Sequence, residues 1–161
     1  MSDLKKQLKN LNVSKLKMKN GNSVEAELKH HADILADCIM KELSAVYDNY
    51  SPKIYRRTYN LYNSLCIDED VHINISSKGA GLSIGLYFDD RAMHDSFSGE
   101  KVNTAILINE GWQTHGRFQN IPYLGYRKPT NFIEKGIMRY KSLVKNPFVV
   151  RLTINNEERI Y

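Results

Sequence analysis

The sequence predicts an α+β fold: a long N-terminal helix and a second, late helix packed on one face of a small antiparallel sheet, with long loops. Three observations carry this. One apolar stripe keeps helical period over residues 22–50, period-2 runs flank Lys78-Gly79-Ala80-Gly81, and a second helical stripe stops at Pro147. A chain of 161 residues, 42% hydrophobic and 25% charged, has the size and composition of a folded domain rather than a disordered segment.

The first helix is expected from Asn22 to Tyr50. Val24, Leu28, Leu35, Ile39, Leu43, Val46 and Tyr50 fall on one face, while Asp33, Asp37, Lys41 and Asp48 face outward. Asn22 with Glu25 three residues on reads as a capping-box variant, and Ser51-Pro52 ends the helix because a residue before proline is pushed out of the α region. The tyrosine-rich stretch Tyr55–Leu65 opens as a short helical turn. Val71, Ile73 and Ile75 alternate with His72, Asn74 and Ser76. Leu82, Ile84, Leu86 and Phe88 alternate with Ser83, Gly85 and Tyr87. These two runs read as a β-hairpin turning at residues 78–81, with Cys66 and Ile67 in a preceding strand.

Residues 89–103 are polar and turn-like. Thr104 to Glu110 is a short buried element that periodicity does not assign to helix or strand. Gly111 to Thr130 reads as a long loop holding Trp112, Phe118, Tyr123 and Tyr126. Phe132, Ile133, Ile137, Tyr140 and Val144 predict the late helix over Asn131–Lys145, and Phe148–Ile154 a final strand.

The charge divides the chain. Residues 1–22 carry six lysines against one aspartate, which accounts for the whole net charge of +5; the remainder balances to zero. The expected organisation is a basic N-terminal arm, residues 1–21, and a single α+β domain, residues 22–161. The arm reads either as a solvated tail docking through Leu4, Leu8, Leu11 and Leu16 or as one drawn to phosphates or an acidic protein surface. Lys5, Lys6, Lys9, Lys15, Lys17 and Lys19 are its candidate DNA-proximal residues. No run reaches the ~18 apolar residues of a membrane span and no signal-peptide core is present, so a soluble protein made in the cytoplasm, with no membrane partner, is expected. Cys38 and Cys66 are too few for a disulfide framework or a four-ligand zinc site, and both are expected to act as small hydrophobes.

Catalytic constellations are not evident. His30 and His31 are adjacent and point to different sides of a helix; no paired-histidine, C-x-x-C, G-x-S-x-G or phosphate-cradling pattern occurs. Asp68-Glu69-Asp70 and Asp89-Asp90 do not match a calcium loop. A hydrolase built on Glu110 and His115 lacks any fixed partner for either group. No enzyme activity, catalytic residue, cofactor or metal is therefore expected.

The ten tyrosines carry more information. Tyr47, Tyr50, Tyr55, Tyr59 and Tyr62 interleave with Arg56 and Arg57, and two uses stand equally open: packing the helix against the sheet with the hydroxyls exposed, or protein–protein contact. Base stacking is a third use, and with the lysine arm it would make the chain a small nucleic-acid-binding protein.

The order of signals resembles a known family. A helix is followed by Tyr55-x-Arg57-Thr58-x-x-Leu61-x-x-Ser64, a hairpin, Ile108-Asn109-Glu110-Gly111, an aromatic loop, and Asn131-Phe132-Ile133 opening the last helix. This is similar to the minor tail component family of long-tailed bacteriophages, which comprises tail-completion, tail-terminator and neck proteins. The resemblance spans residues 24 to 154. Tyr59 stands where the family pattern has glycine, Glu110 directly precedes Gly111, and Asn131 replaces a proline.

The resemblance implies a non-catalytic virion protein forming a ring, a hexamer by family habit, at the head–tail junction. It would join the tail tube protein to the head-closure or connector protein, with genomic DNA passing through the lumen without specific binding. It would be found in the virion neck, and in the host cytoplasm during assembly. The candidate contact residues are Tyr55, Arg56, Arg57, Tyr59, Tyr62, Glu110, Trp112, Arg117, Phe118 and Tyr126.

Overall fold

The computed structural model describes residues 15–19, 21–49, 59–76, 79–96, 99–113, 115–116, 120 and 125–161. The α+β class, the long first helix and the late helix are as the sequence predicts. Helix α1 runs Val24–Asp48. Its cap is Ser23, one residue later than expected: Ser23 Oγ accepts from the Ala26 N–H at 3.4 Å, whereas the Asn22 amide donates to Glu27 at 3.5 Å. Leu28, Leu35, Ile39 and Leu43 of the stripe are buried, and Asp33, Asp37, Lys41 and Asp48 are exposed.

The strands form five separate two-stranded ladders among the described residues. Strand β1 (Leu65–Ile67) pairs with β4 (Leu86–Phe88), and β2 (His72–Ser76) with β3 (Gly79–Ser83) in the register His72↔Ser83. The hairpin is therefore shorter than the alternation suggests. Gly79 to Gly81, read as the turn, lie in β3, and Leu86–Phe88 belongs to a different pairing. The break falls at Gly85, whose N–H donates to Asp68 Oδ2 at 3.1 Å while the Asp68 N–H donates back to its carbonyl at 2.9 Å. A Cβ at Gly85 would collide with the Asp68 carboxylate.

The polar stretch after β4 is also built. A 3₁₀ turn at Asp90–Ala92 is capped by Asp89, and β5 (Met93–Asp95) pairs with β6 (Lys101–Asn103). Thr104–Glu110 is a helix, α2. The loop read over Gly111–Thr130 contains a further ladder, β7 (Trp112–Gln113) with β8 (Tyr126–Arg127). Helix α3 spans Phe132–Leu143, and β9 (Arg151–Ile154) turns back through Asn155 and Asn156 into β10 (Glu157–Ile160), a strand the sequence reading did not anticipate. Both turn asparagines have positive φ, 50° and 66°, as a two-residue hairpin turn requires.

The chain divides into two compact units: Met1–Ile34 with Ile67–Leu86, and Leu35–Cys66 with Tyr87–Tyr161. The second holds most of the buried side chains, among them Leu43, Phe132, Ile137 and Tyr140, each no more than 1% exposed. Helices α1 and α3 meet there at Gly136, where an added Cβ would stand 2.6 Å from Ile39 Cα. A glycine at this crossing lets the two backbones approach, and the Glu42–Arg139 ion pair at 2.6 Å spans the same two helices.

Two positions bear on the family comparison. Tyr59 has φ 57°, a left-handed conformation that glycine takes freely. Asn131 has φ 51°, which proline cannot adopt.

The two cysteines differ. Cys38 is 1% exposed and burial pushes its thiol pKa up, as befits a small core residue. Cys66 instead donates to Asp89 Oδ2 at 3.5 Å and accepts from Arg91 at 3.6 Å, a polar setting rather than the apolar one expected.

Candidate functional site

Two positive-φ residues of the second unit, Gly111 and Asn131, meet around the end of α2. Asn103 opens that helix, its Oδ1 accepting from the N–H groups of Ala105 and Ile106 at 2.9 and 3.4 Å. Asn109, wholly buried, closes it and at the same time opens α3. Its Oδ1 accepts from the Ile133 N–H at 3.0 Å, and its carbonyl accepts from Thr130 and Asn131 at 3.0 and 3.1 Å. Asn131 occupies the N-cap position of α3 but makes no side-chain cap bond, so the cap comes from a residue twenty-four positions away.

Gly111 then turns the chain with φ 75°, and a Cβ there would strike the Arg127 carbonyl and lie 2.7 Å from Pro129 N. This close approach sets Trp112 opposite Arg127 and Gln113 opposite Tyr126. The Arg127 guanidinium lies over the Trp112 ring, 5.6 Å from its centroid. From the C-terminal hairpin, Arg159 reaches Glu134 at 2.8 Å and Glu110 at 3.5 Å. The Glu110 charge raises the guanidinium pKa further. The second Glu134 oxygen is buried without a hydrogen-bond partner among the described residues.

Beside this framework lies an open groove of about 480 Å³ between the last turns of α1 and residues 126–130. Ala45, Val46 and buried Phe132 give it an apolar lining, and Tyr126, Lys128 and Lys135 stand along it. Its one carboxylate, Glu42, is neutralised by Arg139. Lys128 and Lys135 are exposed and make no ion pair among the described residues, so the groove presents net positive charge.

Three of the expected contact residues, Glu110, Trp112 and Tyr126, are gathered at this corner. Glu110 spends its carboxylate on the Asn109 amide and Arg159, and Trp112 is half-buried beneath Arg127, which leaves Tyr126, 38% exposed, facing outward. Tyr59 and Tyr62 stand out from a turn elsewhere, 55% and 40% exposed. Tyr55, Arg56, Arg57, Arg117 and Phe118 lie outside the described residues, as do Lys5, Lys6 and Lys9; Lys15, Lys17 and Lys19 are exposed.

Sequence reasoning missed Asn109, Arg159, Lys128 and Lys135. Nothing local marks Asn109 as a cap, because its partner is distant in sequence. Among the described residues no group of three His, Cys, Asp or Glu side chains is placed to hold a metal, and no helix is long and apolar enough to cross a membrane.

The fold and this corner define a small α+β protein with an open, cation-rimmed groove beside a hydrogen-bonded helix–ladder junction. Residues 1–149 match the model of the YomN family. The chain belongs to the YomN family, which is phage-derived. No curated protein and no solved structure matches it.

Proposed function

We propose that this chain is a structural virion protein that assembles with copies of itself into a ring adaptor at the phage head–tail junction. The observation that carries the proposal is the incompleteness of its sheets. Each ladder among the described residues has only two strands, and isolated pairs are marginal in water unless a third strand or a packed helix supports them. Open edges invite pairing with another chain, and a closed ring removes them. Large apolar side chains sit on several of these strands: Tyr87 on β4, Tyr126 on β8 and Ile160 on β10 are 50%, 38% and 64% exposed. Membership of a phage-derived family and the tail-component resemblance supply the setting.

The test is the mass of the purified full chain by light scattering, alone and with the phage's tail tube protein. A discrete multiple of 18.6 kDa is expected. Labelling of intact virions should then locate the protein at the neck. A chain that stays monomeric at high concentration, and ignores the tube protein, would end this proposal.

A further inference from the structure

We infer that the cation-rimmed groove seats the acidic loop tip of a neighbouring copy, the Asp68-Glu69-Asp70 segment between β1 and β2, so that copies join head to tail. This rests on the ring reading above and names the contact that would build it.

The groove side of the contact has two properties. Lys128 and Lys135 carry charge with no ion-pair partner among the described residues, and the one carboxylate is already taken by Arg139. At about 480 Å³ it lies in the size range of roughly 300–1,000 Å³ typical of binding pockets, roomy enough for a loop tip. Ala45 and Val46, backed by buried Phe132, would cover the stems of the incoming side chains.

The tip has the matching chemistry. Asp68 is committed to its own loop, accepting from the Gly85 N–H and pairing with His72 at 3.2 Å. It thereby fixes the bend that presents the next two residues. Glu69 and Asp70 are exposed and form no hydrogen bond or ion pair among the described residues. Lys29, whose charge feels both, is bonded to Glu25 at 2.9 Å. Two unpaired anions on one segment therefore complement two unpaired cations on another segment of the chain. Contact between unlike patches is heterologous, the kind that closes into rings when the rotation allows it. Phosphate would also suit the lysines, and that alternative is separated by the test.

The experiment uses two full-length charge-reversal variants, Glu69→Lys/Asp70→Lys and Lys128→Glu/Lys135→Glu, with folding checked by circular dichroism. All four side chains are exposed, so both variants should fold. Each alone should self-associate at least about tenfold more weakly than the parent in sedimentation velocity, because like charges then face each other. An equimolar mixture should recover assembly, since each reversed tip meets a reversed groove. If the parent assembles and both variants assemble equally well, this inference fails while the ring reading stands. If the parent never assembles, with or without tube protein, both fall. If Lys128→Glu/Lys135→Glu abolishes salt-dependent binding of a single-stranded oligonucleotide and leaves assembly intact, the groove belongs to nucleic acid and the inference is wrong.

Discussion

Replacing Asn109 by alanine removes two hydrogen bonds at one wholly buried point: the cap on the Ile133 N–H at 3.0 Å and the donation to Glu110 at 2.8 Å. An orphaned buried N–H costs about 1–3 kcal/mol, and loss of an N-cap side chain about 0.5–2. These two figures describe the same bond and are not summed. The lost bond to charged Glu110 is partly offset, because Glu110 keeps Arg159. A net loss of about 3 kcal/mol is expected, which for a chain of this size lowers the melting temperature by roughly 6–12 °C. Asn109→Asp separates the two bonds. It keeps the acceptor, and a negative charge suits a helix N-terminus. It also sets a second carboxylate oxygen where the amide met Glu110. Two carboxylates then repel each other at that point and a proton relieves the repulsion, so the variant's deficit is largest at neutral pH and shrinks on acidification. Urea unfolding of both variants at pH 7 and pH 4.5 measures this. An alanine variant within 0.5 kcal/mol of the parent, or an aspartate variant whose deficit grows on acidification, would refute the reasoning.

Gly136→Ala should destabilise by about 1–3 kcal/mol despite alanine's better helix propensity, since the new methyl would stand 2.6 Å from Ile39 Cα; a stabilised variant in thermal melts would show that the helices have room to part. Tyr59→Gly should stabilise by about 0.5–1 kcal/mol, the relief of a left-handed backbone less the entropy glycine adds to the unfolded chain. On the proposed function, the same change should weaken assembly. The Arg91 guanidinium beside Asp89 holds its carboxyl down at about 2, against an ordinary 3.8. A depressed carboxylate contributes stability above its unfolded pKa and loses it as pH falls through the folded one. Asp89→Asn should therefore be less stable than the parent at pH 7, with the gap closing between pH 4 and pH 2 in denaturant titrations; a gap independent of pH would count against the pair.

What the sequence made legible was whatever repeats locally. The stripes of α1 and α3 announced both helices, and the four polar residues assigned outward on α1 are exposed. Alternation found the β2–β3 region but overran its end, because β4 continues the same pattern while pairing elsewhere. Only the Gly85–Asp68 exchange marks the break, and it joins residues seventeen positions apart. The final hairpin did leave a local sign, two consecutive asparagines directly after the alternating Leu152-Thr153-Ile154. The functional corner was half legible. Trp112 and Tyr126 stood out as aromatics in a polar stretch, yet nothing nearby signals that Asn109 caps a helix opening at Phe132, or that Arg159 crosses to Glu134.

Tyr59 brings these threads together. Its backbone is in a region that costs a non-glycine residue about 1–2 kcal/mol, and its carbonyl accepts one local bond, from Asn63 at 3.1 Å. Glycine would fill that role with less strain. The neighbouring Leu61 and Ser64 are buried, 5% and 0% exposed, and hold the turn in place, whereas more than half of the tyrosine faces outward. Folding alone gives little reason for an aromatic residue at such a site, since it gains scant burial in the isolated chain. On the assembly reading the reason lies outside the monomer: the strain is offset when a neighbour covers the ring. A Tyr59 variant that is more stable alone and weaker in assembly is the combination this requires, and one that gains stability while assembling as well as the parent would remove Tyr59 from the interface.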